Sequence, residues 1–289
     1  MRFEEYFEPK TITECIELKQ QYGNGAVFVA GGTDVVPRLK SGVLKPQAVI
    51  SLLSIPAMGD IEIKEDGLHL GALTPLRKIS LSEQLSGEYD VVKEAAGHVS
   101  SMQVRNIATI GGNACNASPS ADAIHGLLAL DAICHIQSST EKSEKPLSEF
   151  FTGPGKTILN EDELLTGFFI PKPDAHTGAA YMKYSIRGDT DISIVGAGAA
   201  ITLKDDGVAS KVRIFLAAVA ATPLRVVPAE TFLTGKKISK ELIEEAAEIA
   251  KNSCSPIDDQ RATADYRKEM VKVNTRIALE EALRRCNHG

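Results

Sequence analysis

The 289-residue chain has no tryptophan and only 5% aromatic residues, and its five cysteines, at 15, 115, 134, 254 and 286, contain no Cys-x-x-Cys pair. An odd, scattered set argues against a disulfide framework and against a thiolate-held metal cluster. Buried thiols are expected instead, Cys115 among them. There is no run of about 18 apolar residues, the minimum for a membrane helix. The start, Met1-Arg2-Phe3-Glu4-Glu5, lacks the basic-then-apolar order of a secretory leader, so a cytoplasmic protein with no membrane span is expected. Positive charge is not in excess: 32 Lys and Arg against 38 Asp and Glu give −6. Without a basic run to track a phosphate backbone, nucleic acid is not an expected partner. The histidines at 69, 98, 125, 135, 176 and 288 show neither His-x-x-x-His nor His-Glu-x-x-His spacing, which argues against zinc. Gly-x-Ser-x-Gly, Gly-x-Gly-x-x-Gly and the Walker loop are all missing, so the hydrolase elbow, the Rossmann fingerprint and the P-loop readings fail.

What is present is an ordinary globular composition, 43% hydrophobic and 24% charged, at a length that suggests two domains. Thr11 to Tyr22 has helical spacing, Ala26 to Ala30 and Gln47 to Leu53 read as strands, and Ile61 to Ile63 with Leu68 to Leu70 reads as a hairpin about Glu65-Asp66-Gly67. Asp90 to Ser101 reads as a helix. Pro171 and Pro173, with the polar residues to Thr177, mark the expected domain boundary. Beyond it, Ile192 to Leu203 and Lys211 to Ala220 read as strands joined at Asp205-Asp206-Gly207. Two helices follow, Lys240 to Asn252 and Ala264 to Arg285, the second placing Met270, Val273, Ile277 and Ala278 toward a sheet. The order is α+β, not a regular βαβ series.

The most informative local feature is a repeated glycine pair. Val29-Ala30-Gly31-Gly32-Thr33-Asp34 closes one strand, and Gly111-Gly112-Asn113 follows Val104 to Ile110, read here as a second extended run ending in a tight turn. Glycines without Cβ let backbone amides approach an anion, and successive N–H groups in a turn form a nest for phosphate oxygens. Two such turns can grip one pyrophosphate, although either alone is most often only a turn. Ser118-Pro119-Ser120-Ala121-Asp122 then reads as a helix start, Ser120 or Asp122 capping Ala123 to Leu130.

Taken together, these segments resemble the FAD-binding subunit of the molybdenum hydroxylases, the family of xanthine, carbon monoxide and nicotinate dehydrogenases. The resemblance rests on Ala30-Gly31-Gly32-Thr33-Asp34, Gln103-Val104-Arg105-Asn106, Thr109-Ile110-Gly111-Gly112-Asn113 and Ser118-Pro119-Ser120-Ala121-Asp122. It continues through Phe151-Thr152-Gly153-Pro154-Gly155-Lys156, Lys183-Tyr184-Ser185-Ile186-Arg187 with Asp191, and Ala221-Thr222-Pro223-Leu224-Arg225. Gly153-Pro154-Gly155-Lys156 and Asn113-Ala114-Cys115-Asn116 look most like the bacterial xanthine dehydrogenase FAD subunit.

The resemblance implies an α+β fold: a two-subdomain FAD domain of the vanillyl-alcohol-oxidase type over residues 1–173, divided at about 55, then a small α/β domain over 177–289. It implies FAD between the subdomains, its pyrophosphate held by Val29, Ala30, Gly31, Gly32, Thr33, Asp34 and Val35 and by Thr109, Ile110, Gly111, Gly112 and Asn113. It further implies Val99 near the flavin, Asp122 as an acceptor for FAD, Leu165 as apolar cover and Lys183 as a nearby cation. Thr33 stands where covalent relatives of this fold type carry histidine, so non-covalent FAD is expected. The residues alone also allow Asp122 as a plain helix cap, Lys183 and Arg187 as solvated strand charges, and Arg105 with Asn106 as scaffolding of the second turn.

Since no cysteine spacing here suits a cluster, the resemblance places two [2Fe-2S] clusters and molybdopterin on separate small and large subunits, with NAD⁺ as the expected electron acceptor, purine as the expected substrate and a dimer of heterotrimers as the assembly. The extra four-cysteine loop of 4-hydroxybenzoyl-CoA reductase is missing. A flavin subunit of carbon monoxide dehydrogenase or of another aromatic or aldehyde hydroxylase, a stand-alone flavin oxidoreductase and a flavin-free structural or assembly subunit are the alternatives. No acid or base residue is nominated, because hydride transfer between stacked rings needs position and electrostatics more than proton transfer.

Overall fold

The computed structural model describes residues 3–56, 58–188 and 190–286. Met1, Arg2, His288 and the rest of 287–289, which the expectations above include, lie outside the described residues. In chain order come β1 (Glu5–Phe7), α1 (Ile12–Tyr22), β2 (Ala26–Val29), α2 (Val35–Lys40) and β3 (Ala48–Ser51). β4 (Ile61–Lys64), β5 (Gly67–Gly71), α3 (Leu76–Ser80), α4 (Asp90–Gly97), α5 (Met102–Ile107), α6 (Ile110–Asn116) and α7 (Ala123–Ala129) follow. The next strands are β6 (Ile133–Gln137), β7 (Lys142–Pro146), β8 (Phe151–Gly153), β9 (Lys156–Thr157) and β10 (Leu164–Pro171). The chain closes with β11 (Thr177–Tyr184), β12 (Val195–Leu203), β13 (Ala209–Ala217), β14 (Leu224–Arg225), α8 (Val227–Leu233), α9 (Lys240–Ser253) and α10 (Ala264–Cys286).

Three sheets carry the architecture, which is α+β. β1-β3-β2 is parallel, and all four residues of its central strand are buried, as a strand covered on both faces requires. The antiparallel sheet β4-β5-β10-β6-β7 contains the expected hairpin about Gly67. Gly67 is required there, with φ at +148° and an added Cβ meeting Ile170 O at 2.2 Å. A third antiparallel sheet, β11-β12-β13-β14, lies beneath α10. There Gly178 lets the helix approach so closely that a Cβ would lie 2.1 Å from Ala282 O.

Two hydrophobic cores hold these layers. The first gathers Ile50, Leu68, Leu70, Leu76, Leu127, Phe150 and Phe168 and takes in Tyr181 and Phe215 from the third sheet. The second lies between that sheet and α8 to α10, around Ile201, Ile214, Leu216, Ile243, Val271 and Leu279.

Four local expectations are corrected. Val104 to Ile107 is not extended but helical, in α5, where Ser101 Oγ accepts from Val104 N at 3.3 Å and so starts the turn. The second glycine pair is not a free turn but the first turn of α6, capped by Thr109. The helix beginning at Asp90 stops at Gly97, and Ser100 lies beyond it in the left-handed region at φ 51°. α10 buries Val271, Asn274, Ala278 and Leu279, while Val273 is exposed. The actual stripe is interrupted by buried polar Asn274 and Thr275, so an apolar-only periodicity slips by one residue.

Candidate functional site

β2 runs out of the parallel sheet into Ala30-Gly31-Gly32-Thr33-Asp34, and α2 begins immediately after. Gly31 is obligatory for contact: a Cβ would stand 1.8 Å from Ile107 O. Gly32 takes φ +71°, which L residues rarely adopt. Among the described residues, the backbone N–H groups of Gly31, Gly32, Thr33, Asp34 and Val35 have no acceptor, while Gly32 O already accepts from Val36 N at 2.9 Å. Five successive amides facing no internal partner form an anion nest.

The second glycine pair does different work. Ile110 N donates to Thr74 O at 3.1 Å, Gly111 N to Ala72 O at 2.8 Å, Gly112 N to Thr109 Oγ1 at 3.1 Å and Asn113 N to Thr109 O at 2.9 Å. Its amides are therefore engaged within the protein, and its glycines provide shape. A Cβ on Gly111 would lie 2.6 Å from Ala72 Cβ. The two loops meet through Asn116 Nδ2, which donates to Asp34 Oδ1 at 3.2 Å.

Gly32 and Gly112 line one cleft of about 700 Å³, within the size range of small-molecule sites. Ala30, Gly31, Thr33, Asp34, Val35, Val99, Thr109, Gly111, Asn113, Asp122 and Leu165 line it too. Val29, Ile110 and Lys183 do not: Val29 sits in β2, Ile110, the first residue of α6, is fully buried, and Lys183 lies behind Asp122. Asn113, in the wall, has a buried side-chain oxygen with no hydrogen-bond partner.

Asp122 precedes α7 but does not cap it with its side chain, which corrects the plain-cap reading. Its Oδ1 accepts from Tyr181 Oη at 2.7 Å and from Ser193 Oγ, and its Oδ2 from Lys183 Nζ at 2.9 Å. Lys183 also donates to His98 O at 2.8 Å. Only 2% of the lysine side chain is exposed, so it is not a solvated strand charge. Arg187, by contrast, is solvated and pairs with Asp191. Burial pushes the Tyr181 phenol well up, reinforced by the Asp122 charge, so Tyr181 stays a proton donor to the carboxylate. Arg105 is scaffolding, but of the loop before α5: it donates to Val99 O at 3.0 Å and Ser100 O at 2.6 Å.

Cys115 is not a sealed thiol. It is exposed on the cleft wall, where desolvation by the packed atoms around it pushes the thiol up to about 12, keeping it protonated at neutral pH. Sequence reasoning missed Lys19, Arg38, Asn116 and Ile192 in the lining, and Tyr181 and Ser193 around Asp122. Asn116 stands in the stretch Asn113-Ala114-Cys115-Asn116 but carried no site reading there; the others stand in no motif and arrive through the tertiary fold. Among the described residues no group of three or more His, Cys, Asp or Glu is placed to hold a metal ion, and no helix is long and apolar enough to cross a membrane.

An α+β protein with an open amide nest in the wall of a long cleft is built to hold a phosphate-bearing dinucleotide. Residues 1–173 match the FAD binding domain in molybdopterin dehydrogenase, and residues 180–282 match the CO dehydrogenase flavoprotein C-terminal domain. The chain belongs to the FAD-binding subunit family of the molybdenum hydroxylases. It is 30% identical over 272 residues to the nicotinate dehydrogenase FAD-subunit of Eubacterium barkeri, covering 93% of this chain and 92% of that protein. It is 30% identical over 283 residues to the xanthine dehydrogenase FAD-binding subunit of Escherichia coli O157:H7, covering 97% and 96%. A solved structure of carbon monoxide dehydrogenase from Hydrogenophaga pseudoflava, which lacks the Mo-pyranopterin moiety of its cofactor, superposes with a TM-score of 0.94 at 32% identity, covering 99% of each chain.

The residues present fit FAD. The nest offers donors for a diphosphate, Asn113 an unpaired oxygen for a hydroxyl donor, and Val99 and Leu165 apolar cover.

Proposed function

We propose that this chain is the electron-transfer subunit of a heterotrimeric molybdenum hydroxylase, carrying electrons from [2Fe-2S] clusters on a small partner through non-covalent FAD to NAD⁺. The observation that carries the reading is the run of open amides from Gly31 to Val35 at the wall of a cleft large enough for a dinucleotide. Bound FAD supplies the conversion between one-electron and two-electron transfer.

The chain's own residues would do the rest. The amides of Gly31 to Val35 donate to the diphosphate, with Thr109 to Asn113 shaping the opposite lip. Val99 and Asp122 would line the flavin end, where the carboxylate would accept a hydrogen bond from the ligand. Lys183 holds that carboxylate in place through their ion pair, and Val99 and Leu165 exclude water from the apolar faces. In this reading residues 1–173 are the FAD domain, with subdomains meeting near residue 55, and 177–289 form the second domain. The molybdopterin chain is a separate large subunit, and two heterotrimers pair in the cytoplasm.

The substrate is chosen on the molybdenum chain. Relatives named for nicotinate, xanthine and carbon monoxide are 30%, 30% and 31% identical, so overall similarity does not rank them. Purine is supported by the likeness of residues 113–116 and 153–156 to bacterial xanthine dehydrogenase. The test is to purify the complex from its source by a tag on this chain. A flavin absorption band, co-purified molybdenum and iron, and purine-dependent NADH formation are expected. Flavin without the partner metals would instead favour a stand-alone flavin enzyme.

A further inference from the structure

The cleft has a second end, and one cation is fixed there. Lys19, in the last turn of α1, donates through Nζ to Gly23 O at 2.7 Å and to Ala26 O at 2.9 Å. It stands 5.9 Å from the centre of the Phe28 ring, and both residues line the cleft. The facing wall is the stretch before β10, tied to α1 by Gln20 Nε2 donating to Asp162 Oδ2 at 3.3 Å. Ala26 opens β2 and Gly31 follows its end. At about 3.3 Å per residue, the five steps from Ala26 to Gly31 span at most about 16 Å, so Lys19 lies within a dinucleotide's length of the amide nest.

A lysine at a helix C-terminus commonly caps carbonyls, and the bond to Gly23 O is of that kind. Two features go beyond capping. An ammonium has three donors, and only two have acceptors among the described residues. The half-buried site also costs the cation hydration, pulling its pKa down by burial against the opposing field of Glu161. Two fixed carbonyls hold the third N–H in a set direction beside an aromatic wall, where a flat heterocycle would lie.

We propose that Lys19 is the specificity-determining residue for the nucleoside arm of the ligand: its remaining N–H donates to an acceptor of a purine nucleoside, a ring nitrogen or a ribose oxygen, so that the cleft retains a dinucleotide in preference to a flavin mononucleotide. This rests on the FAD reading above, with the flavin at the Asp122 end.

Two measurements on the full chain, stripped of flavin, test it. In fluorescence titrations Lys19→Met weakens FAD binding about tenfold, the scale of one charge-assisted hydrogen bond, and leaves FMN binding unchanged. In wild-type protein, FAD and ADP protect Lys19 from acetylation by acetic anhydride, read by mass spectrometry, whereas FMN does not; this arm needs no variant to fold. Equal loss for FAD and FMN, or protection by FMN and not by ADP, overturns the role of Lys19 while leaving the FAD reading intact. A wild-type chain that binds no FAD overturns both.

Discussion

Lys183 Nζ lies 2.9 Å from Asp122 Oδ2, with 2% and 7% of the two side chains exposed, and the pair joins β11 to the residue that opens α7. The charges are 61 positions apart in the chain and are nearly sealed from water. Breaking a buried pair by removing one member leaves an uncompensated charge. Lys183→Met is therefore expected to cost about 3 kcal/mol in urea unfolding, and the double variant with Asp122→Asn less than that. If the double change costs as much as the sum of the single ones, the two side chains are not coupled.

Gly31 tests the meeting of the two loops. A Cβ there would overlap Ile107 O at 1.8 Å, and backbone cannot swing aside as a flexible side chain would. Gly31→Ala is expected to cost about 2 kcal/mol as overpacking and to lower retained FAD about tenfold by shifting the open amides. Gly235→Ala is the control, since φ +82° is its only obstacle and nothing lies within 4 Å. It should cost about 1 kcal/mol and leave the flavin spectrum as it was.

Arg105 ties down a strained bend, Ser100 at φ 51°, through the carbonyls of Val99 and Ser100. Arg105→Ala should cost about 1–2 kcal/mol from charged hydrogen bonds in a half-buried setting. Because Val99 and Ser100 line the cleft, FAD should stabilise this variant less than it stabilises the wild type. Equal ligand-induced increments in Tm would remove Arg105 from the site.

Acid stability should report on Glu281. Hydrogen bonds from Arg284 hold its carboxyl down to about 2, against burial and with help from Arg285. The unfolded chain binds this proton first, at about pH 4.3, so the contribution is complete above that value and disappears as pH falls toward 2. Glu281→Gln should flatten the decline in urea stability between about pH 5 and 2 by about 1–2 kcal/mol, allowing for solvent screening. An unchanged slope would place the acid sensitivity elsewhere.

Local chemistry was readable where it depends on neighbours in sequence. The hairpin about Gly67 follows from its turn residues, and α1 from the helical spacing of Ile12, Cys15, Ile16 and Leu18, all a few positions apart. So does the first glycine pair, whose φ demand is local. α5 was not readable: Val104 to Ile107 carries β-branched residues that favour strands, and a short helix there is held by the Ser101 cap, the Arg105 contacts and the approach of Gly31. Tertiary contact overrode propensity. α10 was misphased for a related reason, since Asn274 is buried against Val195 O at 3.3 Å, a partner no apolar count reveals.

By itself the sequence determined two glycine pairs able to bend and approach and no thiol or imidazole spacing suited to a metal, while the family resemblance pointed to Asp122 and Lys183. Tertiary structure decided what each does. It left the amides of Gly31 to Val35 open while engaging those of Ile110 to Asn113, turned Asp122 from its helix toward Tyr181, Ser193 and Lys183, and set Lys19 at the far end of the cleft. The physical reason is that hydrogen-bond saturation and burial are properties of a group's surroundings. Those surroundings are assembled from segments up to 80 residues and more apart, as Asn116 and Asp34 are, with a separation of 82.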